Sequence, residues 1–307
     1  MISIIVCSRS AGLFDKFQKN IEITIGVAHE VIRVDNANSN YSICRAYNEG
    51  AEKAIFPFLC FVHEDVLFKT NNWGRNFLDH FSEVENLGLI GVAGAVYKSK
   101  MSCAWWQAEE GQEEIKRMNI LQHSKNEDQP FTHLFINPLN KTIAEVVVID
   151  GVFMGTTKAV WLNNKFDDQL LKSFHGYDLD FSFQIGQSKK IIVVYNILLQ
   201  HFSVGTKNIN WMFETIKVHQ KWSIKLPSKT TTYHVDDSML YNHSWHRLRK
   251  NIAALIYYKC GWKMLIKKYH QLFLLLDNKP AFPSLTKDYI LGCIKMLRIF
   301  FRKKQTA

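Results

Sequence analysis

The chain opens on a β-branched run, ISIIVC at 2–7, and continues into AGLFDKFQKNI, which can carry a helical turn or two. The alternation then repeats. EVIRVD (30–35) is strand-like and ends in Asp35, YSICRAYNEGAEKAIF (41–56) has apolar residues at helical spacing, and FLCFVH (58–63) is a third strand. Strands alternating with helices predict parallel pairing through right-handed crossovers, hence an α/β sheet covered on both faces. GLIGVAG (88–94) reads as a buried strand with close backbone packing, and EVVVID (145–150) as another, followed by GVFMGTTKAVW. Further on, FHGYDLDFSFQIG (174–186) is helical in period from Asp178, IIVVYNI (191–197) is a strand, and LLQHFSVGT follows it. Residues 100–143 are more polar and weakly periodic, which predicts an irregular insertion near the rim of a ligand site.

Open α/β sheets bind ligands at the carboxyl ends of their strands. Ser8-Arg9, Asp35-Asn36 and His63-Glu64-Asp65 end three successive strands and can converge on one crevice. No G-x-G-x-x-G follows the first strand and no G-x-x-x-x-G-K-[ST] occurs anywhere, so the usual dinucleotide and P-loop signals are missing. The triplet at 63–65 interrupts an otherwise apolar run, and burying unpaired charge is expensive. If the strand runs through it, His63 and Asp65 face one side and Glu64 the other. An imidazole and a carboxylate on one side can hold a divalent cation, with Asp65 the harder oxygen ligand suited to Mg²⁺ or Mn²⁺. The competing reading is a polar strand end making loop contacts.

Length and charge add an appendage to this picture. The 307 residues suffice for one large domain plus an extension. From Trp245 to Ala307 there are 14 Lys and Arg against two acids, a net of +12, so the chain's total of +10 leaves about −2 for residues 1–244. In that tail Leu248, Ile252, Leu255 and Ile256 recur at helical spacing among basic residues, and DYILGCIKMLRIFFRKK repeats the style. Basic amphipathic helices suit an anionic membrane surface; the alternative is packing on the catalytic domain with the charges in water. The six cysteines are scattered without a C-x-x-C pair, which argues against a zinc site or disulfide framework and suits a reducing cytoplasm. MISIIVCSRS lacks a basic n-region, and no run reaches the roughly 18 apolar residues of a spanning helix. The cluster His234, Asp236, Asp237, His243 and His246 resembles a metal site in composition, but its spacing fits no ligand motif and it reads as a solvated connector.

Seven blocks in order, SIIVCSR, VIRVDN, SICRAYNEGAEKA, FLCFVHEDV, IDGVFMGT, FHGYDLDFSF and LLQHFSVGT, resemble the inverting family-2 glycosyltransferases with the GT-A fold, and most of all the branch whose metal motif begins with His. The resemblance covers about residues 1–205. It implies a Rossmann-like, mixed but mostly parallel sheet flanked by helices, with a catalytic domain over 1–225 and a connector and basic helical appendage over 226–307. Ser8, Arg9, Asp35 and Asn36 match the positions that hold the nucleotide base, and Asn48, in Ala46-x-Asn48-x-Gly50, matches one near the donor. His63-Glu64-Asp65 falls on the family's Asp-x-Asp motif; His63 replaces the ribose-contacting Asp, which leaves open whether it touches sugar or metal, while Asp65 remains the metal ligand. His201 matches the late His that completes the metal site. The Glu-Asp pair of the catalytic base falls on Tyr177-Asp178, so Asp178 is the candidate base, and Asp180 is left as structural.

The activity so implied is metal-dependent transfer from a nucleotide-sugar, UDP-linked by family habit, to a hydroxyl of a glycan or lipid-linked glycan. The setting implied is bacterial lipopolysaccharide or other surface polysaccharide synthesis, in the cytoplasm or on the inner face of the cytoplasmic membrane. Two other classes compete. A nucleotide-sugar pyrophosphorylase needs a Gly-rich, basic stretch after the first strand, of which CSRSAGLF is a faint version. A nucleic-acid binder needs stacking aromatics on a positive groove, whereas the tail's aromatics sit among aliphatics at packing positions, so no nucleic-acid partner is expected.

Overall fold

Residues Ile2–Ser8 form β1 and are buried along nearly their whole length, which is why the run is apolar on both faces. Ser10 caps helix α1 (Ala11–Thr24) by accepting a hydrogen bond from the Leu13 N–H, a contact worth about 1 kcal/mol. Phe14, Phe17 and Ile21 of α1 are buried at helical spacing. β2 (His29–Asp35) follows, then α2 (Ile43–Lys53), capped by Ser42, and β3 (Phe58–His63). These elements agree with the alternation read from the sequence. The structure is a computed structural model that describes residues 1–107, 113–123, 131–202, 207–234 and 240–276, with Lys287, Ile290, Leu291, Ile294 and Arg298 beyond them.

A two-residue turn after β3 leads into β4 (Val66–Phe68), followed by α3 (Trp73–Glu83), β5 (Leu87–Gly91), β6 (Ala93–Ala95) and β7 (Tyr97–Lys98). After a short 3₁₀ turn at Glu113–Ile115 come β8 (Lys116–Gln122), β9 (Thr132–Ile136), β10 (Ile143–Glu145), β11 (Val148–Ile149) and β12 (Phe153–Thr157). Next are α4 (Lys158–Asn163), α5 (Tyr177–Ile185), β13 (Lys190–Val194) and β14 (Leu199–His201). The main sheet has seven strands in the order β10-β13-β5-β12-β3-β1-β2. β1 is parallel to β2 and β3, and β13 to β5, while β12 and β10 run against them, so the sheet is mixed but mostly parallel. A second sheet runs β11-β6-β8-β14-β4, with β9 on β8.

Two expectations are corrected here. EVVVID is not one strand: β10 pairs with β13 in the first sheet and β11 with β6 in the second, because the chain changes sheets at residues 146–147. Residues 100–143 are not merely an irregular insertion, since β8 and β9 form an antiparallel pair there. Buried Arg117 and Asn119 on β8 break the apolar alternation that would have announced it; the Asn119 amide donates to the Tyr195 carbonyl and accepts from His133.

The chain divides into two units, Met1–Tyr97 with Ile115–Thr206, and Lys98–Glu114 with Lys207–Ala307. The second unit is helical: α6 (Ile209–Lys221), the short β15 (Ser228–Lys229), α7 (Leu240–Tyr257) and α8 (Trp262–Phe273). The second unit thus takes in the segment from Lys98 and resumes at Lys207, ahead of the 225/226 division expected from the sequence. Leu248, Ile252 and Leu255 of α7 are buried with Met212, Ile216, Leu265 and Leu272 in a core of its own, and Ile256 packs against it. The apolar stripe that suggested a membrane face therefore serves this core. Of the DYILGCIKMLRIFFRKK repeat only a few positions lie within the described residues. No helix among the described residues is long and apolar enough to cross a membrane.

GLIGVAG, read as one buried strand, is two: β5 ends at Gly91 in the first sheet and β6 begins at Ala93 in the second, though its backbone does pack closely. A Cβ at Gly94 would meet the Val148 carbonyl oxygen at 2.5 Å, a backbone atom unable to yield. Gly94→Ala should therefore lower stability by about 1–3 kcal/mol, read as a lower urea midpoint at unchanged slope.

Candidate active site

The turn at Glu64-Asp65 carries the chain from the first sheet into the second. His63 thus ends a strand of one sheet, while Asp65 precedes β4, which pairs with β14 so that His201 faces Val66. The strand does not run through the triplet; the turn, not the pleat, brings His63 and Asp65 together. Ligand atoms of His63, Asp65 and His201 lie within 4.8 Å of one another, the one such group among the described residues. His201 Nε2 is 3.5 Å from Asp65 Oδ1, and the two imidazole rings are 5.8 Å apart between centroids.

Both imidazoles are oriented from behind. Nδ1 of His201 bonds Gln122 Oε1 at 3.2 Å, which directs Nε2 towards Asp65. The His63 ring is hydrogen-bonded through Nε2 to the Tyr177 hydroxyl at 2.6 Å. Burial lowers the His63 pKa, with His201 adding and Asp65 opposing, so the ring is held in the neutral form that a metal needs. Two imidazoles and a carboxylate suit a divalent cation of intermediate hardness. The set fits such an ion, and it enlists His63, for which the sequence left metal and ribose both open.

Asp178 lies on the first turn of α5, beside Tyr177. The residue keeps some access to solvent, but its carboxyl is closely packed by protein. Burial pushes its pKa up to about 7 and the Asp150 carboxylate adds to the rise, against the backbone N–H groups around it, including that of Leu179 at 2.9 Å. Asp150 follows β11 and accepts from the Val152 N–H at 2.8 Å. Gly151 is small of necessity: a Cβ there would meet the Tyr177 hydroxyl at 2.1 Å. Asp180 is buried and accepts from Gln184, a scaffold contact.

The other expected residues surround the ends of β1 and β2, where Ser8 and Asp35 are register partners. The Arg9 side chain is exposed, and Asp35 is 62% exposed with Arg33 at 3.5 Å. Ser8 is buried and accepts from Arg33 Nε at 3.1 Å. Asn36 is buried and closes its loop with two hydrogen bonds to the Tyr41 backbone. Glu64 accepts the backbone N–H groups of Arg9 and Ser10 at 3.1–3.2 Å and so fixes the β1–α1 loop. Asn48, expected near the donor, has its amide committed to the scaffold: it donates to the Phe166 carbonyl and accepts from the Trp161 indole and the Phe166 N–H. In the 233–246 cluster, Asp236 and Asp237 lie outside the described residues, while His243 and His246 belong to α7.

Tyr177 and Asp150 were not singled out from the sequence. Tyr177 stood there as a lost Glu, and its service to His63 is visible only once α5 is placed against β3. Asp150 ended an apolar run as Asp35 does, and that was the available signal.

The profile of a glycosyltransferase-like family matches residues 3–233, three quarters of the chain. The chain belongs to that family. Among solved structures, S. aureus TarS 1-349 shares 11% identity at a TM-score of 0.53, covering 90% of this chain and 80% of its own. GalNAc-T7, crystallised with UDP, GalNAc and Mn²⁺, is 10% identical at a TM-score of 0.48; the match covers 88% of this chain but only 57% of that one. No curated protein sequence matches significantly. The fold is GT-A and the protein is a glycosyltransferase.

Removing the hydroxyl behind His63 tests the geometry directly. Tyr177→Phe should weaken Mn²⁺ binding by about tenfold or more, measured by isothermal titration, with an unchanged circular dichroism spectrum.

Proposed function

We propose that the protein is a metal-dependent inverting glycosyltransferase that moves a sugar from a UDP-linked donor to a hydroxyl of a glycan acceptor. The observation that carries this reading is the meeting of His63, Asp65 and His201 in the same unit as an Asp178 whose carboxyl titrates near neutrality. His63, Asp65 and His201 would hold a divalent cation, Mn²⁺ or Mg²⁺, which supplies positive charge against a departing diphosphate. Asp178 takes the proton of the acceptor hydroxyl as that oxygen attacks the anomeric carbon. The bond to the diphosphate breaks on the opposite face, so one displacement inverts the centre. A pKa of about 7 makes Asp178 a stronger base than an ordinary carboxylate yet leaves it deprotonated for much of the time near neutral pH. Arg9 and Asp35 are positioned to meet the nucleotide base, while Ser8, Asn36 and Glu64 shape the loops that present them; Asn48 acts through the scaffold under α2.

The acceptor on this reading is a bacterial surface polysaccharide or lipopolysaccharide, built at the inner face of the cytoplasmic membrane. Support for a membrane surface comes from the turn between α7 and α8, where Tyr257, Trp262 and Met264 are exposed beside Lys259, Lys263 and Lys267. Apolar rings next to lysines suit the boundary between headgroup and acyl chain.

Asp178→Asn should nearly abolish transfer of radiolabelled sugar while leaving UDP affinity roughly unchanged; near-normal turnover would remove Asp178 from the role of base. In the unaltered enzyme the rate should rise with pH through about 7, because the base must be deprotonated. Asp150→Asn removes a neighbouring negative charge and should move that rise to lower pH. Independently, reversing Lys259, Lys263 and Lys267 to Glu should abolish co-sedimentation with phosphatidylglycerol vesicles at low salt, each lysine contributing about 1 kcal/mol. Unchanged sedimentation would exclude the α7–α8 turn as the contact.

A further inference from the structure

Three aromatic rings stand in a row beside the candidate metal group, and nothing in the donor or metal chemistry uses them. Their alignment follows from the register of the second sheet. Gln122 on β8 is paired with His201 on β14 to one side and Thr132 on β9 to the other. One step beyond this rung, just outside the ends of three neighbouring strands, come Phe202, His123 and Phe131. The rings of His123 and Phe202 stack at 4.9 Å and 26°, and those of His123 and Phe131 lie 5.4 Å apart at 37°. The side chain of Gln200 reaches His123 Nε2 and holds the central ring.

The row is continuous with the metal group through the backbone. The Phe202 N–H donates to the Asp65 carbonyl at 3.0 Å, and the His123 N–H to the His201 carbonyl at 2.9 Å. Yet the outer rings remain open to solvent, Phe131 by 50% and Phe202 by 41%. Isolated exposed apolar residues need no explanation, but a stacked row of them contiguous with a site does.

We infer that Phe202, His123 and Phe131 form the acceptor subsite, a platform on which sugar rings of a glycan stack. The inference rests on the glycosyltransferase reading above, and names where its second substrate lies. A pyranose has an apolar C–H face and a rim of hydroxyls. Flat rings bearing an imidazole and an amide at their centre offer both complements. A row, rather than a single ring, suits an oligosaccharide rather than a monosaccharide. An acceptor must also bring its hydroxyl to the donor's anomeric carbon; this row begins at the backbone of Asp65 and His201 but its side chains leave the opposite face of the sheet from His201, so the glycan would reach the metal group over the sheet's end.

The test uses the full chain and saturation-transfer NMR with tetrasaccharides of β-linked glucose, galactose and N-acetylglucosamine. At least one should receive saturation at its C–H protons from the unaltered protein. Phe131→Ala should weaken that binding by about fivefold or more, and Phe131→Trp should retain it. In parallel, the thermal shift given by UDP with Mn²⁺ is measured for all three proteins. It should be the same in each, because Phe131 is two strands from His201. The inference is overturned if none of the tetrasaccharides binds, or if Phe131→Ala binds as well as the unaltered protein. A normal UDP response alongside either result confines the failure to the acceptor subsite; loss of the UDP response in the unaltered protein instead strikes the donor site itself.

Discussion

The two-residue turn at Glu64-Asp65 is the constraint on which the site depends. β3 belongs to one sheet and β4 to another, and only two residues connect them. The Glu64 carboxylate takes two backbone N–H groups from the loop after β1, so the turn and the first strand end are tied by charge-assisted hydrogen bonds. With Glu64 engaged in that direction, His63 and Asp65 are left to the other. β14 then delivers His201 beside them through its pairing with β4. Three side chains separated by up to 138 positions in the chain converge because of this one turn.

The same region is arranged against ordinary ionisation. Desolvation disfavours charge on His63 and on Asp178 alike, in one case keeping an imidazole neutral and in the other keeping a carboxyl protonated to higher pH. Asp178 with a raised pKa is destabilising above neutrality, since the unfolded chain would release that proton from about pH 4 and the folded one only near 7. A carboxyl so raised, with no ion pair among the described residues, marks a candidate functional site. The buried Tyr177 hydroxyl, pressed against Gly151, links the two halves: α5 carries both Asp178 and the group that orients His63.

Much of the catalytic unit was legible in the sequence, for identifiable reasons. β1 and β3 are buried on both faces along nearly their whole length, β2 only in part as the edge strand, and all three end in polar residues where the site begins. Apolar residues at helical spacing marked α2, while AGLFDKFQKNI announced only a turn or two of the 14-residue α1. The antiparallel β12 inside the main sheet was not legible, because GVFMGTT carries no directional signal and strand order is a property of pairing. β8 was obscured by buried Arg117 and Asn119, whose partners come from distant segments. Asp65, His201 and Asp178 were identified by chemistry and block order. The geometry of His63 depends instead on a turn that the strand-period argument takes as straight, and Asn48 is matched to a donor position by its block, which carries no sign of the Phe166 backbone and Trp161 indole it meets.

The basic tail shows how one pattern admits two physical outcomes. Leu248, Ile252 and Leu255 satisfy the requirement for an interfacial helix and for a packed one equally well, and periodicity cannot choose between them. Burial chooses: at 8% exposure or less, these side chains are already removed from water and have no further apolar area to offer a bilayer. Any membrane affinity of this part of the tail must therefore come from what the helical core leaves outside, namely lysines and a few rings at the α7–α8 turn. Attraction of that kind is electrostatic in its larger share and falls with ionic strength. A contact so built binds reversibly, and the proposed transfer to an acceptor at a membrane surface asks for no more than that.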